Sequence, residues 1–290
     1  MSILVKKDTK VLVLGITGKS GRLQTKIMKD YGTNIVAGVT PGKGGMEVDN
    51  IPVYDFVSEA IKEHQIDAAI SFVPARFSKD SCLEVIESNI NFLVIPAEGI
   101  PDHDVVEMLQ YAKLKGKTIL GPGSAGVISP GKCKLGAHPP NMYTEGNVGV
   151  VSKSGALSYE IGKTLTENKI GQSSVVAIGG GPLWGMKQTD ILPMFENDEE
   201  TEIIVMLGEI GGTMEEDAAK VIEEKIQKPV ITLIVGKSAP EGKSLGHAGA
   251  IIEGNLGTVE SKVNALKKAG AYIAGDSLDV IRLIKEIKGE

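Results

Sequence analysis

Short apolar runs alternate with amphipathic stretches along almost the whole chain. KVLVLGIT, near residue 10, is apolar nearly throughout, the pattern of a strand buried on both faces. GRLQTKIMKDYG follows with helical periodicity and closes at Gly32. NIVAGVT (34–40), DAAISFV, NFLVIPA and TILG repeat the strand pattern, with helical segments near 57–64, 78–89 and 103–115 between them. Strands of this length separated by helices predict parallel β-α-β units.

The alternation breaks over 122–145, which is rich in Gly and Pro. It resumes with NVGVVSKS, the helix ALSYEIGKTLTEN and the strand SSVVAIGG. A helix near 186–196, IIVMLGEI, EEDAAKVIEEKI and KPVITLIVG continue it, and two helices flanking AYIAG close the chain. This predicts an α/β protein of two doubly wound parallel-sheet domains in series, over 1–125 and 146–290, with a linker at 126–145.

A length of 290 residues suits two domains, and 42% hydrophobic with 23% charged residues suits two cores in water. The net charge of −6 argues against a general nucleic-acid role. Cys82 and Cys133 lack metal spacing and cannot build a disulfide framework. No leader-like run opens the chain, and no stretch reaches the ~20 apolar residues of a span. A cytoplasmic protein with no membrane role is expected.

Gly15-Ile16-Thr17-Gly18-Lys19-Ser20-Gly21 joins the first strand to the first helix. Glycines let a phosphate approach the backbone there, and the helix start carries about +0.5 charge. A P-loop would need glycine at Val13, and a dinucleotide fingerprint would need one at Ile16 or Thr17. The second strand ends in Thr40-Pro41-Gly42-Lys43, without the acid that holds an adenine ribose. An oxidoreductase using NADP is therefore disfavoured. A phosphorylated ligand with pyrophosphate and a further phosphate, such as coenzyme A, fits; a tight turn without ligand is the other reading.

Of the four histidines, His64, His103 and His138 read as surface or capping residues. His247 differs, lying in Gly246-His247-Ala248-Gly249, where glycines clear space around the ring. With an ordinary pKa near ~6.5, a neutral imidazole there is an available nucleophile; a histidine in a flexible surface loop is the alternative. Ser154-Gly155 opens a helix whose free N–H groups can hold a phosphoryl group, and Ser154 also reads as a plain N-cap. Glu209, at a strand end, either orients the imidazole through its second N–H or is a solvated loop carboxylate.

Taken in order, GITGKSG, VTPGKGG (39–45), AEGIP (97–101), VSKSGALSYE (151–160), GEIGG (208–212) and GHAGAII (246–252) resemble the α subunit of succinyl-CoA synthetase along essentially the whole chain. The resemblance implies a Rossmann-like CoA-binding domain followed by a flavodoxin-like ligase domain. It assigns coenzyme A to Thr17, Gly18, Lys19, Ser20, Lys43, Pro96, Ala97 and Glu98, and substrate contact to Tyr159. It makes His247 the phosphohistidine, Glu209 its partner, and Ser154 and Gly155 the phosphate-steadying helix start. It implies an αβ or α2β2 complex with an ATP-grasp β subunit that binds NTP and Mg2+, forming succinyl-CoA from succinate in the citric acid cycle. Two segments depart from the family pattern: Gly123-Ser124-Ala125 lacks an asparagine and a proline, and Gly181 through Trp184 has a glycine where aspartate is frequent and an unusual tryptophan. These departures leave open a related ligase, such as malate–CoA ligase. A non-catalytic CoA-binding regulatory protein is the rival of another class, opposed by the second domain and His247.

Overall fold

The computed structural model describes residues 2–236 and 257–290. The first domain runs β1 (Lys10–Leu14), α1 (Lys19–Asp30), β2 (Asn34–Val39), β3 (Glu47–Val48), β4 (Ile51–Tyr54), α2 (Val57–Glu63), β5 (Ala68–Ser71), α3 (Ala75–Glu87), β6 (Phe92–Val94), α4 (Asp102–Leu114) and β7 (Thr118–Leu120). Its sheet has the order β3-β4-β2-β1-β5-β6-β7, parallel except for β3 against β4. Residues Val11 to Leu14 are all buried, as a strand covered by helices on both faces requires.

The second domain adds β8 (Gly126–Ser129), β9 (Cys133–Gly136), β10 (Glu145–Ser152), α5 (Gly155–Glu167), β11 (Gln172–Ala177), α6 (Gln188–Glu196), β12 (Ile203–Glu209), α7 (Met214–Lys225), β13 (Val230–Val235), α8 (Val259–Lys268), β14 (Tyr272–Ala274) and α9 (Ser277–Lys288). The order β14-β13-β12-β10-β11-β8-β9 has a parallel part read as 2-1-3-4-5, the flavodoxin arrangement. Both domains are thus α/β with mixed, mainly parallel sheets.

Residues 126–145, expected as a linker, differ. β8 pairs antiparallel with β11 and β9 with β8, so Gly126 to Gly136 form a hairpin extending the second sheet. Its glycines serve close pairing: a Cβ on Gly126 would lie 2.0 Å from the Leu135 carbonyl oxygen. The same Gly and Pro content that suggests a linker here permits a tight hairpin.

The hairpin also fastens the two domains. Thr33 Oγ1 donates to the Lys134 carbonyl at 2.7 Å and accepts the Lys134 N–H at 3.1 Å. The Gly131 N–H donates to the Tyr31 hydroxyl at 3.0 Å. One buried apolar cluster is shared, reaching from Val13, Ile70 and Leu120 to Val151, Phe195 and Met206.

Lys134 lies wholly buried at this junction, its ammonium donating to the Gly136 carbonyl and facing Gln24 Oε1 at 3.5 Å. Burial pushes its pKa down to about 8. Below pH 8 both folded and unfolded chains carry the charge, so its desolvation penalty is present in full. Between about 8 and the ordinary value of 10.5 the unfolded chain holds more protons, and stability rises with pH. Lys134→Met should therefore be the more stable chain at pH 7, with its advantage shrinking by on the order of 2 kcal/mol by pH 10. Urea unfolding of both chains at the two pH values checks this.

Candidate active site

Each parallel sheet leaves its ligand-facing loops at the carboxyl ends of the strands, with the widest opening where the strand order reverses. In the first sheet that reversal falls between β1 and β5. A cavity of about 730 Å³ opens there, lined by Thr17, Gly18, Lys19 and Ser20, by Thr40-Pro41 after β2, and by Phe72–Pro74 after β5. The Gly15 N–H donates to the Val39 carbonyl at 2.8 Å and Gly18 N–H to Gly15 O at 3.0 Å, curling the loop under α1. Gly18 occupies the N-cap without a side-chain cap, so the first-turn amides are available to an anion. Lys43 is exposed and is not part of that lining; it lies two residues beyond Pro41, in a turn held by Asp55, whose Oδ1 accepts the Lys43 and Gly44 N–H groups at 2.8 Å.

A second cavity of about 710 Å³ lies between the two domains. Pro96, Ala97 and Glu98 after β6 face Ser154, Gly155 and Tyr159 at the start of α5 across it. The structure thus brings these six together and sets Thr17–Ser20 in the neighbouring cavity along the same sheet edge. The departing segments line the inter-domain cavity as well: Gly123, Ser124 and Ala125 from the loop after β7, and Gly180 through Leu183 from the neighbouring loop after β11. Ser124 closes its wall, its hydroxyl donating to the Ala177 carbonyl at 2.5 Å and accepting the Gly126 N–H at 2.8 Å.

Ser154 is the N-cap of α5, its hydroxyl accepting the Leu157 N–H at 3.3 Å. Tyr159 is half-buried, and burial raises its phenol pKa. The ring of His138 stands edge-on to it, 5.5 Å between centroids. His138, expected as a surface or capping residue, is completely buried. Its Nε2 faces the Gly126 carbonyl at 3.1 Å and its Nδ1 the Tyr143 hydroxyl at 2.9 Å. Burial pushes its pKa down to about 3, so the ring is neutral. A carbonyl only accepts, which puts the proton on Nε2.

Glu209 ends β12 and is 7% exposed, which rules out the solvated-carboxylate reading. Its Oε1 lies 3.5 Å from the ammonium of Lys153, which is itself 3.5 Å from Glu215. Glu215 in turn pairs with buried Lys262. The sequence analysis gives Lys153, Glu215 and Lys262 no functional role. The available signal was Lys153 itself, a charge directly after the apolar run of NVGVVS. His247, proposed from its glycine-flanked loop, lies outside the described residues.

Comparison with known proteins agrees with this architecture. Residues 6–99 match the family described as "CoA binding domain", and residues 151–272 the family described as "CoA-ligase". The chain is 50% identical over 289 residues to subunit alpha 1 of succinate–CoA ligase [ADP-forming] from Archaeoglobus fulgidus, covering 99% of this chain and 98% of that one. The chain belongs to the succinate–CoA ligase α-subunit family. It is a subunit of an acid–CoA ligase and carries a CoA-binding domain. The corresponding α subunit from Aquifex aeolicus is 49% identical, with 94% and 90% coverage. Among solved structures, ATP citrate lyase from Methanothrix soehngenii, in complex with citrate and coenzyme A, superposes with a TM-score of 0.88 at 25% identity. The alignment covers 99% of this chain and 52% of that one, so this ligase subunit spans about half the length of the lyase.

The expectation that the loop between β1 and α1 holds a phosphate of coenzyme A can be tested through its tightest contact. A Cβ on Gly21 would lie 2.1 Å from the Gly15 carbonyl oxygen, inside the loop's own backbone. Gly21→Ala should weaken coenzyme A binding by about tenfold or more while the second domain keeps its fold, since a misplaced loop loses several N–H contacts at once. Calorimetry with coenzyme A checks this, and the same titration with dephospho-CoA should show weaker binding to the unmodified chain.

Proposed function

We propose that this chain is the α subunit of a succinate–CoA ligase that forms succinyl-CoA from succinate, coenzyme A and a nucleoside triphosphate, reversibly and through phosphorylated His247. The observation that carries the proposal is the inter-domain cavity, where the Pro96–Glu98 turn of the CoA-binding domain faces the helix start at Ser154 and Gly155. Such an arrangement suits a thiol delivered from one side and a phosphoryl group steadied from the other.

In this reading the β subunit binds NTP and Mg2+, in an αβ or α2β2 assembly. The ADP-forming relatives favour ATP. A ring nitrogen of His247 attacks the terminal phosphorus, and the P–O bond to the diphosphate breaks. A succinate carboxylate oxygen then takes the phosphoryl group as the P–N bond breaks. Coenzyme A, held by Thr17–Ser20, Lys43 and Pro96–Glu98, attacks the acyl carbon through its sulfur, and phosphate leaves. Glu209 accepts the second N–H of the imidazole and fixes its tautomer. Tyr159 contacts the acid. The reaction belongs to the citric acid cycle, in the cytoplasm.

The wall formed by Gly123, Ala125, Gly180 and Gly181 presents small residues to the acid and leaves room for a hydroxylated substrate. Assay of the assembled enzyme across succinate and malate decides between the two acids.

With the β subunit and labelled ATP, the label should attach to His247 and be acid-labile and base-stable. His247→Asn should keep coenzyme A binding and lose both labelling and turnover. Glu209→Gln should label at least about tenfold more slowly. Label persisting in His247→Asn, or mapping by mass spectrometry to Ser154 or His138, overturns the proposal.

A further inference from the structure

Lys153 is charged, buried and unused by any step above. It is 2% exposed and directly follows the last residue of β10. β10 and β12 are neighbouring strands with Ser152 paired to Leu207. Lys153 and Glu209 therefore meet where the strand order of the second sheet reverses, the position at which such sheets hold ligands. Its Nζ lies 3.5 Å from Glu209 Oε1, 3.5 Å from Glu215 Oε1 and 5.7 Å from the centre of the Trp184 ring.

The surrounding charges leave Lys153 a defined task. Glu215 is fully buried and already pairs with Lys262, whose ammonium also reaches Glu216 and the Gly212 carbonyl, both at 2.9 Å. Glu215 Oε1 in addition accepts the Glu209 N–H at 3.2 Å. The Glu209 and Glu215 carboxylates are thus close, and Lys153 stands between them. Removing its ammonium takes away a cation 3.5 Å from each carboxylate in a buried site and weakens the hold on the Glu209 side chain. A buried ion pair is a poor stabiliser, since removing each ion from water costs several kcal/mol. Its placement at the catalytic end of the sheet, where a packed apolar side chain would serve stability as well, points to orientation.

We propose, resting on the Glu209 reading above, that Lys153 is a positioning residue of the phosphoryl relay, anchoring the Glu209 carboxylate in the orientation that receives the relay imidazole. It touches neither coenzyme A nor the acid; it acts through Glu209.

A double-mutant cycle in the ligase assembled with its β subunit tests this, reading the rate of chain labelling from ATP by rapid quench. Lys153→Met should slow labelling by about tenfold or more with the KM for coenzyme A unchanged, and Lys153→Arg should restore most of the rate. In a Glu209→Gln background Lys153→Met should change the rate less than about twofold, because the group it positions is gone. Circular dichroism establishes that each variant is folded, and Lys153→Gln replaces Lys153→Met if the latter is not. A neutral variant labelling at the normal rate, or slowing Glu209→Gln as much as it slows the unmodified chain, overturns the role of Lys153. Unchanged labelling in Glu209→Gln alone overturns the underlying reading of Glu209 instead.

Discussion

A parallel strand cannot turn directly into its neighbour. It must cross over a face of the sheet and return, so the carboxyl ends of all the strands collect on one edge and the helices begin there. The placement of both cavities follows from that constraint. The loop after β1 opens the first cavity beside β5, and the loops after β6, β7, β10 and β11 frame the second. Helix starts supply unpaired N–H groups at the same edges, so the chain can hold anionic groups with only three arginines, Arg22, Arg76 and Arg282.

Much of this was legible in the sequence because the signals are local. Continuous apolar runs separated by helical periods give the strand order its raw material, and a glycine-rich turn between β1 and α1 marks an anion site whatever the ligand. Val13 sufficed to exclude a P-loop. The misreadings all concern contacts that exist only once the chain has folded. Gly126 and Gly136 look like linker residues until the strands that need them are placed side by side. His138 looks polar and loose, whereas Gly126 and Tyr143 satisfy both its ring nitrogens inside the protein. Lysines at 134 and 262 carry no sequence mark of burial, and Lys153 only its place after an apolar run, since the groups facing the three ammoniums lie 110, 47 and 56 positions away.

The seam between the domains is covalently simple and physically strong. The hairpin of the second sheet hydrogen-bonds to Thr33 and Tyr31 of the first domain, and the shared apolar cluster lies beneath it. Fully burying one Val or Leu side chain is worth about 1.5–3 kcal/mol, so the apolar residues shared across this seam oppose its opening. The inter-domain cavity is thus bordered by two domains that share a hydrogen-bonded hairpin and one apolar cluster.

Trp184 is the sole tryptophan of the chain. Its indole N–H donates to the Gly179 carbonyl at 2.9 Å, and the Lys153 ammonium lies over its ring. Indole emission responds to nearby charge and to the polarity of its surroundings. The protein therefore carries a built-in fluorophore between the Gly180–Leu183 lining of the inter-domain cavity and the buried ion network, placed to report changes there without any attached dye.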